Sequence, residues 1–513
     1  MRKTCIRRLV YNEVIIMSTE ELRERFLTWQ SRLSAYRMAL TLIEIDATER
    51  PLNAGAGYRG EKGAVLAGEY MRVLKEDGME EVMEKIASDD PDSDVRKMAE
   101  LYLKRLSDSR KVPEKEYSDY QRILSESERQ WLICKERADY GSYWPYLEKL
   151  IDAFTGIKMY ANRGEDLFDQ LLDDNEEGYN RARYDELFGK VRSEVVPLLR
   201  EIEQAEQPDT GFLHRYYPAD RQREFNRELM KFIRFDPSWG TVSESEHPVT
   251  TGLNRNDVRF TTKYRENDLV MAALSSMHES GHAWFGHQTD PKYEGTVILE
   301  NIHAGMHESQ SRLVENHIGR SRTFWEVNLP KLRDIFPDDL AGIDANTFYR
   351  AINAVKPSLV RTEADEVTYP LHIMVRYEIE KGIFSGEYKV KDLEEIWNEK
   401  YREYLGIEVP NARDGILQDM HWPYAYFGYF PTYLLGSAMA AQFAHRMFAD
   451  IDVDAMLRED RYIEIMNYLG DHIHRYGGIC TTDEIIEKAT GAPFDPSFYT
   501  DHLRSKYREI YRI

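Results

Sequence analysis

The pentapeptide from His278 to His282, with the sequence HESGH, constrains this chain more than any other feature of it. Residues four apart on an α-helix lie one above the other on the same face, so the two imidazoles could bind one metal ion with Glu279 close beside them. Zinc hydrolases use this arrangement to hold a metal and a general base together. The preceding residues 268–277 are rich in Leu, Met and Ala and contain no Pro, which predicts that the motif lies on a helix.

Gly281 lies inside this predicted helix, where glycine lowers stability by roughly 1 kcal/mol relative to alanine. A glycine at such a position suggests that another group approaches the backbone closely. The metal site is one candidate for that group, and a tightly packed neighbouring helix is the other.

A catalytic zinc ion usually has three protein ligands and keeps a fourth position for water. Residues 301–316 form a second predicted helix, which carries Glu308 thirty residues after His278. If the two helices lie side by side, the carboxylate of Glu308 completes a ligand set with His278 and His282. We therefore predict a metal centre made of these three residues, with Glu279 as the general base.

The second helix also carries a rival pair of histidines four residues apart, His303 and His307, which could chelate a metal by themselves. Residue 304 is alanine, so the rival pair lacks the adjacent glutamate that hydrolysis needs. His307 is therefore interpreted as a residue that packs beside the metal centre.

The charge of the chain limits its partners. Its 513 residues carry a formal net charge of −22, with a sequence pI of about 5.2, whereas nucleic acids and anionic membranes bind surfaces rich in Lys and Arg. No stretch approaches the roughly eighteen apolar residues of a membrane span. The three cysteines are widely separated and form no CxxC motif, which favours free thiols in a reducing, cytoplasmic compartment. We predict that the protein binds neither nucleic acid nor membranes.

Hydrophobic periodicity predicts a mainly helical chain. One region differs, because residues 240–264 are rich in β-branched residues and turn signals and predict a small sheet beside the metal-binding helix. The clearest helices are predicted at 18–48, 61–87, 92–106, 114–137, 142–161, 179–205, 219–233, 346–357, 362–382, 391–404, 430–449 and 460–475.

The segment around Met17 suggests that residues 1–17 are an upstream extension or a disordered N-terminus. A Ser-Thr-Glu-Glu helix-start signature follows Met17, and the residues before it do not form a signal peptide, so we expect translation to begin at Met17. No low-complexity linker interrupts the rest of the chain. Residues 18–513 are predicted to form a single catalytic domain, with an N-terminal helical lobe at about 18–235 and a metal-site lobe at about 236–513.

Five sequence blocks occur in order over about 165 residues. They are Asp257-Val258-Arg259-Phe260-Thr261 (DxRxT), His278 to His282 (HExxH), His307-Glu308-Ser309-Gln310-Ser311 (HESxS), His372 to Arg376 (HxxxR) and Gly415 to Trp422 (GxxQDxHW). Their joint occurrence is far more specific than any one of them. On these blocks the chain resembles the thermostable carboxypeptidase family, also called the carboxypeptidase Taq family, of zinc metallopeptidases, and the resemblance covers nearly the whole chain after Met17.

The resemblance implies a mainly α fold in which two helical lobes enclose a long, deep cleft, with the small β-sheet next to the zinc helix. It implies a zinc-dependent metallocarboxypeptidase of broad specificity that removes C-terminal amino acids from peptides, with Glu279 assisting the attack of zinc-bound water. One zinc ion per chain is expected, and cobalt could replace it. The implied partners are peptides with a free C-terminus and a second copy of the chain in a homodimer.

The resemblance also nominates His421 and Tyr429 as catalytic donors to the oxyanion, because they match in motif order the histidine and tyrosine of similar helical dipeptidyl carboxypeptidases. Asp419 is interpreted as a partner that could orient the imidazole of His421. Aromatic packing around Trp422 and Phe430 is the alternative role for both nominated residues.

Recognition of a free C-terminal carboxylate favours a guanidinium group, and the candidates for substrate binding are Arg376 and Arg259. Each arginine could instead have a structural role. Arg259 could form an ion pair with Asp257, and Arg376 could form one with Glu380. The family blocks favour Arg376 over Arg259.

The chain departs from the family pattern just after the second histidine of the motif. His287 stands there in place of a carboxylate. An imidazole near the metal would change the metal affinity or the pH optimum, although all the predicted ligands are present.

Two other functions stay open. An endo-oligopeptidase or a dipeptidyl carboxypeptidase would use the same helical cleft and would produce internal cuts or dipeptides. A peptide-binding protein without catalysis is disfavoured, because Glu279 and all three predicted ligands are present.

Overall fold

The structure is a computed structural model that describes residues 17–49 and 53–513. Helices dominate these ranges, as predicted, and the predicted extension at residues 1–17 lies outside them except for Met17. The α-helices are α1 (Thr19–Glu49), α2 (Asn53–Leu74), α3 (Met79–Asp89), α4 (Ser93–Lys111), α5 (Glu114–Arg137), α6 (Tyr140–Tyr160), α7 (Leu167–Asn175), α8 (Arg181–Glu203), α9 (Ala219–Phe232), α10 (Met271–Gln288), α11 (Ala304–Arg312), α12 (Arg322–Ile335), α13 (Ala345–Ile352), α14 (Tyr369–Ser385), α15 (Leu393–Leu405), α16 (Phe430–Asp450), α17 (Val453–Arg458), α18 (Tyr462–His472), α19 (Thr482–Thr490) and α20 (Ser497–Tyr511). The strands are β1 (Gly240–Glu244), β2 (Thr250–Asn254) and β3 (Asp257–Thr262). In the described ranges, every helix is too short or too polar to cross a membrane.

Local sequence signals account for many helix boundaries. At the start of α4 the side chain of Asp92 accepts hydrogen bonds from two backbone N–H groups of the first turn, and Asp139 caps α6 in the same way. The helix predicted at 61–87 is divided into α2 and α3. Gly78, directly before α3, has a φ of 83°, a left-handed conformation that glycine adopts without steric cost and that interrupts the helical path between α2 and α3.

The three strands form the predicted small sheet in the order β1-β3-β2. The central strand β3 is parallel to β1 and antiparallel to β2. Its buried side chains include Val258 and Phe260, which alternate along the strand. Helix α10 packs against β2 and β3, and the Thr262 hydroxyl donates a hydrogen bond of 3.1 Å to the Ala272 carbonyl of α10. The sheet therefore lies beside the helix that carries the HESGH motif, as predicted.

The buried apolar side chains form two clusters. The larger one extends from Trp131 to Tyr511, and the smaller one joins Leu22–Leu106 of α1 to α4 with residues 293–298. The division between the clusters falls between residues 106 and 131, and the lobe boundary near residue 235 stays a prediction. Residues 293–298 belong to the connection between α10 and α11, so the N-terminal helices hold that connection in their own apolar cluster.

Helices α10 and α11 pack so closely that glycine is required between them. A Cβ atom at Gly281 would lie 2.5 Å from the Gln310 carbonyl oxygen and 2.6 Å from Ser311 Cα. On the other side of α11, a Cβ at Gly436 of α16 would lie 2.7 Å from Glu308 Cβ. Close helix packing, rather than a metal ion, therefore explains the glycine inside the motif, and two glycines fix the position of α11.

Replacing Gly281 with Ala is expected to lower the free energy of unfolding by roughly 1–3 kcal/mol, because the backbone of α11 must move to admit the methyl group. The matched control is Gly286→Ala in the same helix, where a Cβ would meet nothing within 4 Å. The control should be neutral or should stabilise by up to about 1 kcal/mol. Thermal unfolding measures both changes, and equal midpoints for the two variants would contradict the packing argument.

Candidate active site

Helices α10 and α11 bring the three predicted metal ligands together. His278 Nε2 lies 3.7 Å from Glu308 Oε2, and His282 Nε2 lies 3.5 Å from the same oxygen. The three ligand atoms all lie within 4.8 Å of one another, and within residues 17–49 and 53–513 this is the one group of three or more such side chains close enough to hold a metal ion. Glu308 is buried and both imidazoles are partly exposed, so the group can be reached from solvent.

The spacing of these atoms fits a metal ion. Ligand atoms about 2.0–2.2 Å from a tetrahedral zinc ion lie about 3.3–3.6 Å apart, close to the two measured distances. Arg312 Nε donates to Glu308 Oε1 at 2.7 Å, which leaves Oε2 for the metal. Burial alone would raise the pKa of Glu308, but the charges of Arg312 and His278 outweigh it and hold that pKa well below its usual range. The carboxylate is therefore ionised, as a metal ligand must be.

The imidazole of His278 is oriented by the carboxylate of Glu315. His278 Nδ1 lies 3.0 Å from Glu315 Oε2, so an N–H at this position donates to Glu315 and leaves Nε2 free to bind a metal. Arg320 Nη2 in turn lies 3.1 Å from Glu315 Oε1. Glu315 belongs to a π-helical turn, Leu313–Gly319, that directly follows α11, and π-helical turns are frequent at functional sites.

His282 is fixed differently, because its Nδ1 lies 2.7 Å from Nδ1 of His307. Burial and then the proximity of His282 lower the pKa of His307 to about 3, so His307 is neutral and its Nδ1 can accept a hydrogen bond. His303 points elsewhere, with Nε2 3.7 Å from Glu177. The rival histidines thus have separate partners, and His307 packs beside the metal centre as the sequence predicted.

The predicted general base, Glu279, is buried and held in place by the sheet. The hydroxyl of Thr250, at the start of β2, lies 2.6 Å from Glu279 Oε2 and 3.0 Å from the Glu279 carbonyl. A threonine hydroxyl that donates to a carboxylate restricts its rotamer and direction. No pattern in the sequence singles out Thr250, because its contact with Glu279 depends on how β2 packs against α10.

The loop between α15 and α16 brings His421 and Tyr429 together, with their rings 5.8 Å apart. Burial and the charge of Glu308 raise the pKa of Tyr429 to about 12, so the phenol stays protonated at neutral pH. Sequence reasoning missed Tyr433, whose hydroxyl lies 3.3 Å from His421 Nε2. Its spacing of one helical turn from Tyr429 was the available signal.

A fully buried carboxylate, Glu380 of α14, binds this loop through two hydrogen bonds. It accepts hydrogen bonds from Trp422 Nε1 at 2.7 Å and from the Gly428 backbone N–H at 2.9 Å. The two donors lie just inside His421 and Tyr429 along the chain, so Glu380 fixes both ends of the segment between them. Burial raises the pKa of Glu380 to about 8, although these hydrogen bonds favour its ionised form.

The raised pKa of Glu380 predicts a pH-dependent contribution to stability. Between its ordinary pKa of 4.5 and about 8, the unfolded chain releases this proton and the folded chain retains it, so rising pH favours unfolding. Glu380→Gln removes that proton release. The stability of the variant relative to the parent should therefore rise by about 2–4 kcal/mol between pH 5 and pH 8. Chemical unfolding at several pH values measures the difference, and a constant difference would contradict the prediction.

Arg376, a predicted carboxylate clamp, is fully buried beneath the loop. Its guanidinium donates to Asp419 Oδ2 at 2.6 Å, to the His372 carbonyl at 2.8 Å and to Gln418 Oε1 at 2.9 Å. The ion-pair partner is Asp419, not Glu380, which was the partner weighed from the sequence. All three guanidinium nitrogens have partners inside the protein, so the substrate-binding role of Arg376 stays a prediction without a free donor to support it.

A second arginine, Arg361, lies on the other oxygen of the same carboxylate. Its Nη2 donates to Asp419 Oδ1 at 3.0 Å, and its guanidinium carbon lies 5.0 Å from the centre of the Tyr433 ring. Asp419 Oδ1 is 3.7 Å from His421 Nδ1, too long for a hydrogen bond. Asp419 therefore acts on His421 through its charge and its two arginines rather than through a direct hydrogen bond.

The other predicted clamp, Arg259, forms a two-bond ion pair with Asp257 on the same face of β3. The donor–acceptor distances are 2.8 and 2.9 Å, and about a third of each side chain is exposed. This geometry matches the structural alternative weighed for Arg259, and its role in substrate binding stays a prediction.

His287, expected near the metal, has other partners. Its ring stacks on Trp239 with 3.9 Å between the ring centres, and its Nδ1 lies 2.7 Å from the Arg255 carbonyl. The imidazole is thus held against the side of α10 that faces Trp239 and does not belong to the metal-binding group.

Comparison with known proteins finds relatives that match nearly the whole chain. A family model described as carboxypeptidase Taq (M32) metallopeptidase matches residues 25–507. Carboxypeptidase 1 of Bacillus subtilis is 36% identical over 501 residues, which cover 97% of this chain and 100% of the relative. Thermostable carboxypeptidase 1 of Thermus thermophilus is 33% identical and covers 96% of this chain and 100% of its own. The crystal structure of the M32 carboxypeptidase from Deinococcus radiodurans superposes with a TM-score of 0.93 at 30% identity, covering 96% of this chain and 100% of that one.

Proposed function

Because the chain belongs to the carboxypeptidase Taq (M32) family of metallopeptidases, a family of peptide-bond hydrolases, we propose that it is a zinc-dependent carboxypeptidase that releases single residues from the free C-termini of peptides with broad specificity. The observation that carries the proposal is the convergence of His278, His282 and Glu308 beside the buried Glu279. Two nitrogen donors and one oxygen donor with an open position are the ligand set of a hydrolytic zinc site.

In the proposed mechanism, His278, His282 and Glu308 hold the metal. When bound, zinc lowers the pKa of its water to about 7 and polarises the scissile carbonyl. Glu279, oriented by Thr250, takes a proton from the attacking water and passes it to the leaving amine. One carboxylate can serve both transfers, because the proton that it takes from the water is the proton that it gives to the leaving amine.

His421 and Tyr429 are proposed to donate hydrogen bonds to the scissile carbonyl oxygen as negative charge develops on it. Burial and the charge of Arg361 lower the pKa of His421 to about 3, so the ring is neutral and carries one N–H. Tyr429, with a pKa near 12, keeps its proton at neutral pH. Both groups can therefore donate without first gaining a proton.

The geometry favours Arg361 over Arg376 as the group that binds the substrate carboxylate. The side chain of Arg376 is fully buried, whereas that of Arg361 is 9% exposed. Arg361 Nη1 has only a long contact of 3.5 Å, with the Tyr369 hydroxyl, so it can turn to a better acceptor. We propose that Arg361 binds the terminal carboxylate, that Arg376 positions Asp419, and that Arg259 contributes less to binding.

The test is a time course by mass spectrometry on a peptide with a blocked N-terminus, beside the same peptide with a C-terminal amide. Stepwise loss of single residues from the free acid alone supports the proposal. Internal cuts, release of dipeptides or equal cleavage of the amide would move the protein to the endopeptidase or dipeptidyl carboxypeptidase class. Metal analysis of the active protein distinguishes zinc from cobalt, and light scattering tests the proposed homodimer.

A further inference from the structure

The loop that carries His421 and Tyr429 also presents a large aromatic side chain to solvent. Tyr426 is 52% exposed, although it follows His421 by only five residues. Its ring centre lies 6.3 Å from that of His421 and 6.3 Å from that of Tyr429. The backbone before it is constrained, because Ala425 adopts a φ of 59°, a left-handed conformation that is rare for alanine. The fold thus holds an exposed aromatic face directly beside the proposed oxyanion donors.

Two further tyrosine rings, Tyr426 and Tyr433, lie next to this pair of donors. Each ring lies within 6.5 Å of both His421 and Tyr429, yet in the described part of the chain Tyr426 and Tyr433 share no ring contact with each other. Arg361 lies on the Tyr433 side, with its guanidinium 5.0 Å from that ring. The proposed carboxylate-binding group therefore packs on the ring of Tyr433 and, among the residues that the structure describes, makes no such contact with the exposed ring of Tyr426.

With Arg361 as the carboxylate-binding group, this arrangement favours one direction of a bound peptide. The scissile carbonyl belongs to the penultimate residue, and the terminal residue extends from it towards Arg361. The side chain of the penultimate residue then lies on the side of Tyr426. Resting on the proposed function, we propose that Tyr426 is a specificity-determining residue that contacts the penultimate side chain of the substrate and favours large apolar and aromatic residues there.

The chemistry of the exposed ring supports this assignment. A tyrosine presents a large, rigid apolar face, and stacking on it favours aromatic and bulky aliphatic side chains over small polar ones. The ring of Tyr424 lies beside that of Tyr426 in a nearly parallel orientation, with the ring centres 6.5 Å apart and an interplanar angle of 14°. Met420 of the same loop is 43% exposed and adds a flexible apolar side chain to this surface.

The experiment measures kcat/KM on two series of N-blocked peptides of equal length. One series varies the penultimate residue as Phe, Leu, Ala or Ser before a constant terminal residue, and the other varies only the terminal residue. The parent should prefer penultimate Phe over Ser by about tenfold. Tyr426→Ser should reduce this ratio to within about twofold, Tyr426→Phe should preserve it, and the terminal-residue ratios should not change. The control Tyr216→Ser, at a side chain that is 68% exposed, should leave every ratio as in the parent.

Two results would overturn the assignment alone: an unchanged Phe-to-Ser ratio in Tyr426→Ser, or a loss of the same factor on every peptide of both series. Failure of the parent to release a terminal residue from any peptide would overturn the proposed function together with this inference. Melting temperatures of the variants separate a loss of contact from a loss of folding.

Discussion

Glu279→Gln is expected to lower kcat by about 10³-fold while the melting temperature and the metal content stay those of the parent. General acid–base catalysis by one positioned side chain is worth roughly 10²–10⁴-fold, and in this site a single carboxylate is proposed to perform both proton transfers. The amide keeps the size and shape of the carboxylate, so the packing against Thr250 is retained while the ability to take a proton is lost.

Thr250→Val tests the same carboxylate with a smaller expected loss of activity. It removes the hydroxyl that lies 2.6 Å from Glu279 Oε2 but leaves the carboxylate in place. Loss of one hydrogen bond to a charged group corresponds to roughly a tenfold decrease in kcat. Single-turnover kinetics with metal-loaded protein measure both changes. Turnover by Glu279→Gln within tenfold of the parent would contradict the role of the glutamate as general base.

Glu308→Ala is expected to remove metal binding and activity together and also to destabilise the fold. Glu308 supplies the one oxygen ligand of the predicted set, and it accepts a hydrogen bond from the buried Arg312. Without it, Arg312 keeps a longer ion pair of 3.3 Å with Glu315 and a contact with the ring of Tyr369. We expect a loss of at least about 10³-fold in kcat/KM and of roughly 3 kcal/mol in the free energy of unfolding, because a buried charge loses its main partner.

The control for this variant is Glu326→Ala, which removes a glutamate from an exposed ion pair with Arg458. Exposed pairs contribute about 0–1 kcal/mol, so its activity and stability should be those of the parent. Metal content by mass spectrometry, kcat/KM and chemical unfolding are measured on both proteins. A Glu308→Ala protein that binds one metal ion per chain and retains a tenth of the activity would rule out Glu308 as a ligand.

The sequence alone was sufficient to predict those helices, strands and site residues whose pattern lies within one short segment of the chain. The helical spacing of His278 and His282 put both imidazoles on one face of α10, and the β-branched residues and turn signals in 240–264 predicted the sheet beside it. Helices with strong start and stop signals were placed to within a residue or two, as at α1 and α5. In each case the information lies within one turn of helix or one strand, so no tertiary contact is needed to interpret it.

Contacts between distant segments could not be predicted in the same way. Thr250 meets Glu279 only because β2 packs on α10, and Arg361 meets Asp419 across 58 residues of chain. The sequence suggested Glu380 as the partner of Arg376, since the two lie four apart on a helix. In the folded chain, Arg376 pairs with Asp419 instead. Glu380 accepts hydrogen bonds from Trp422 and from the backbone of Gly428.

The connection between the two ligand-bearing helices is embedded in the N-terminal apolar cluster. Tyr293, Val297 and Ile298 are each at most 3% exposed, and Val297 N–H donates to Gln30 of α1. Helices α1 to α4 thus hold the segment between the two ligand-bearing helices, although none of the three predicted ligands comes from them. A fragment beginning after Lys111 would expose this apolar connection and free α10 and α11 to separate. We therefore expect the smallest active fragment to include helices that supply no ligand to the metal centre.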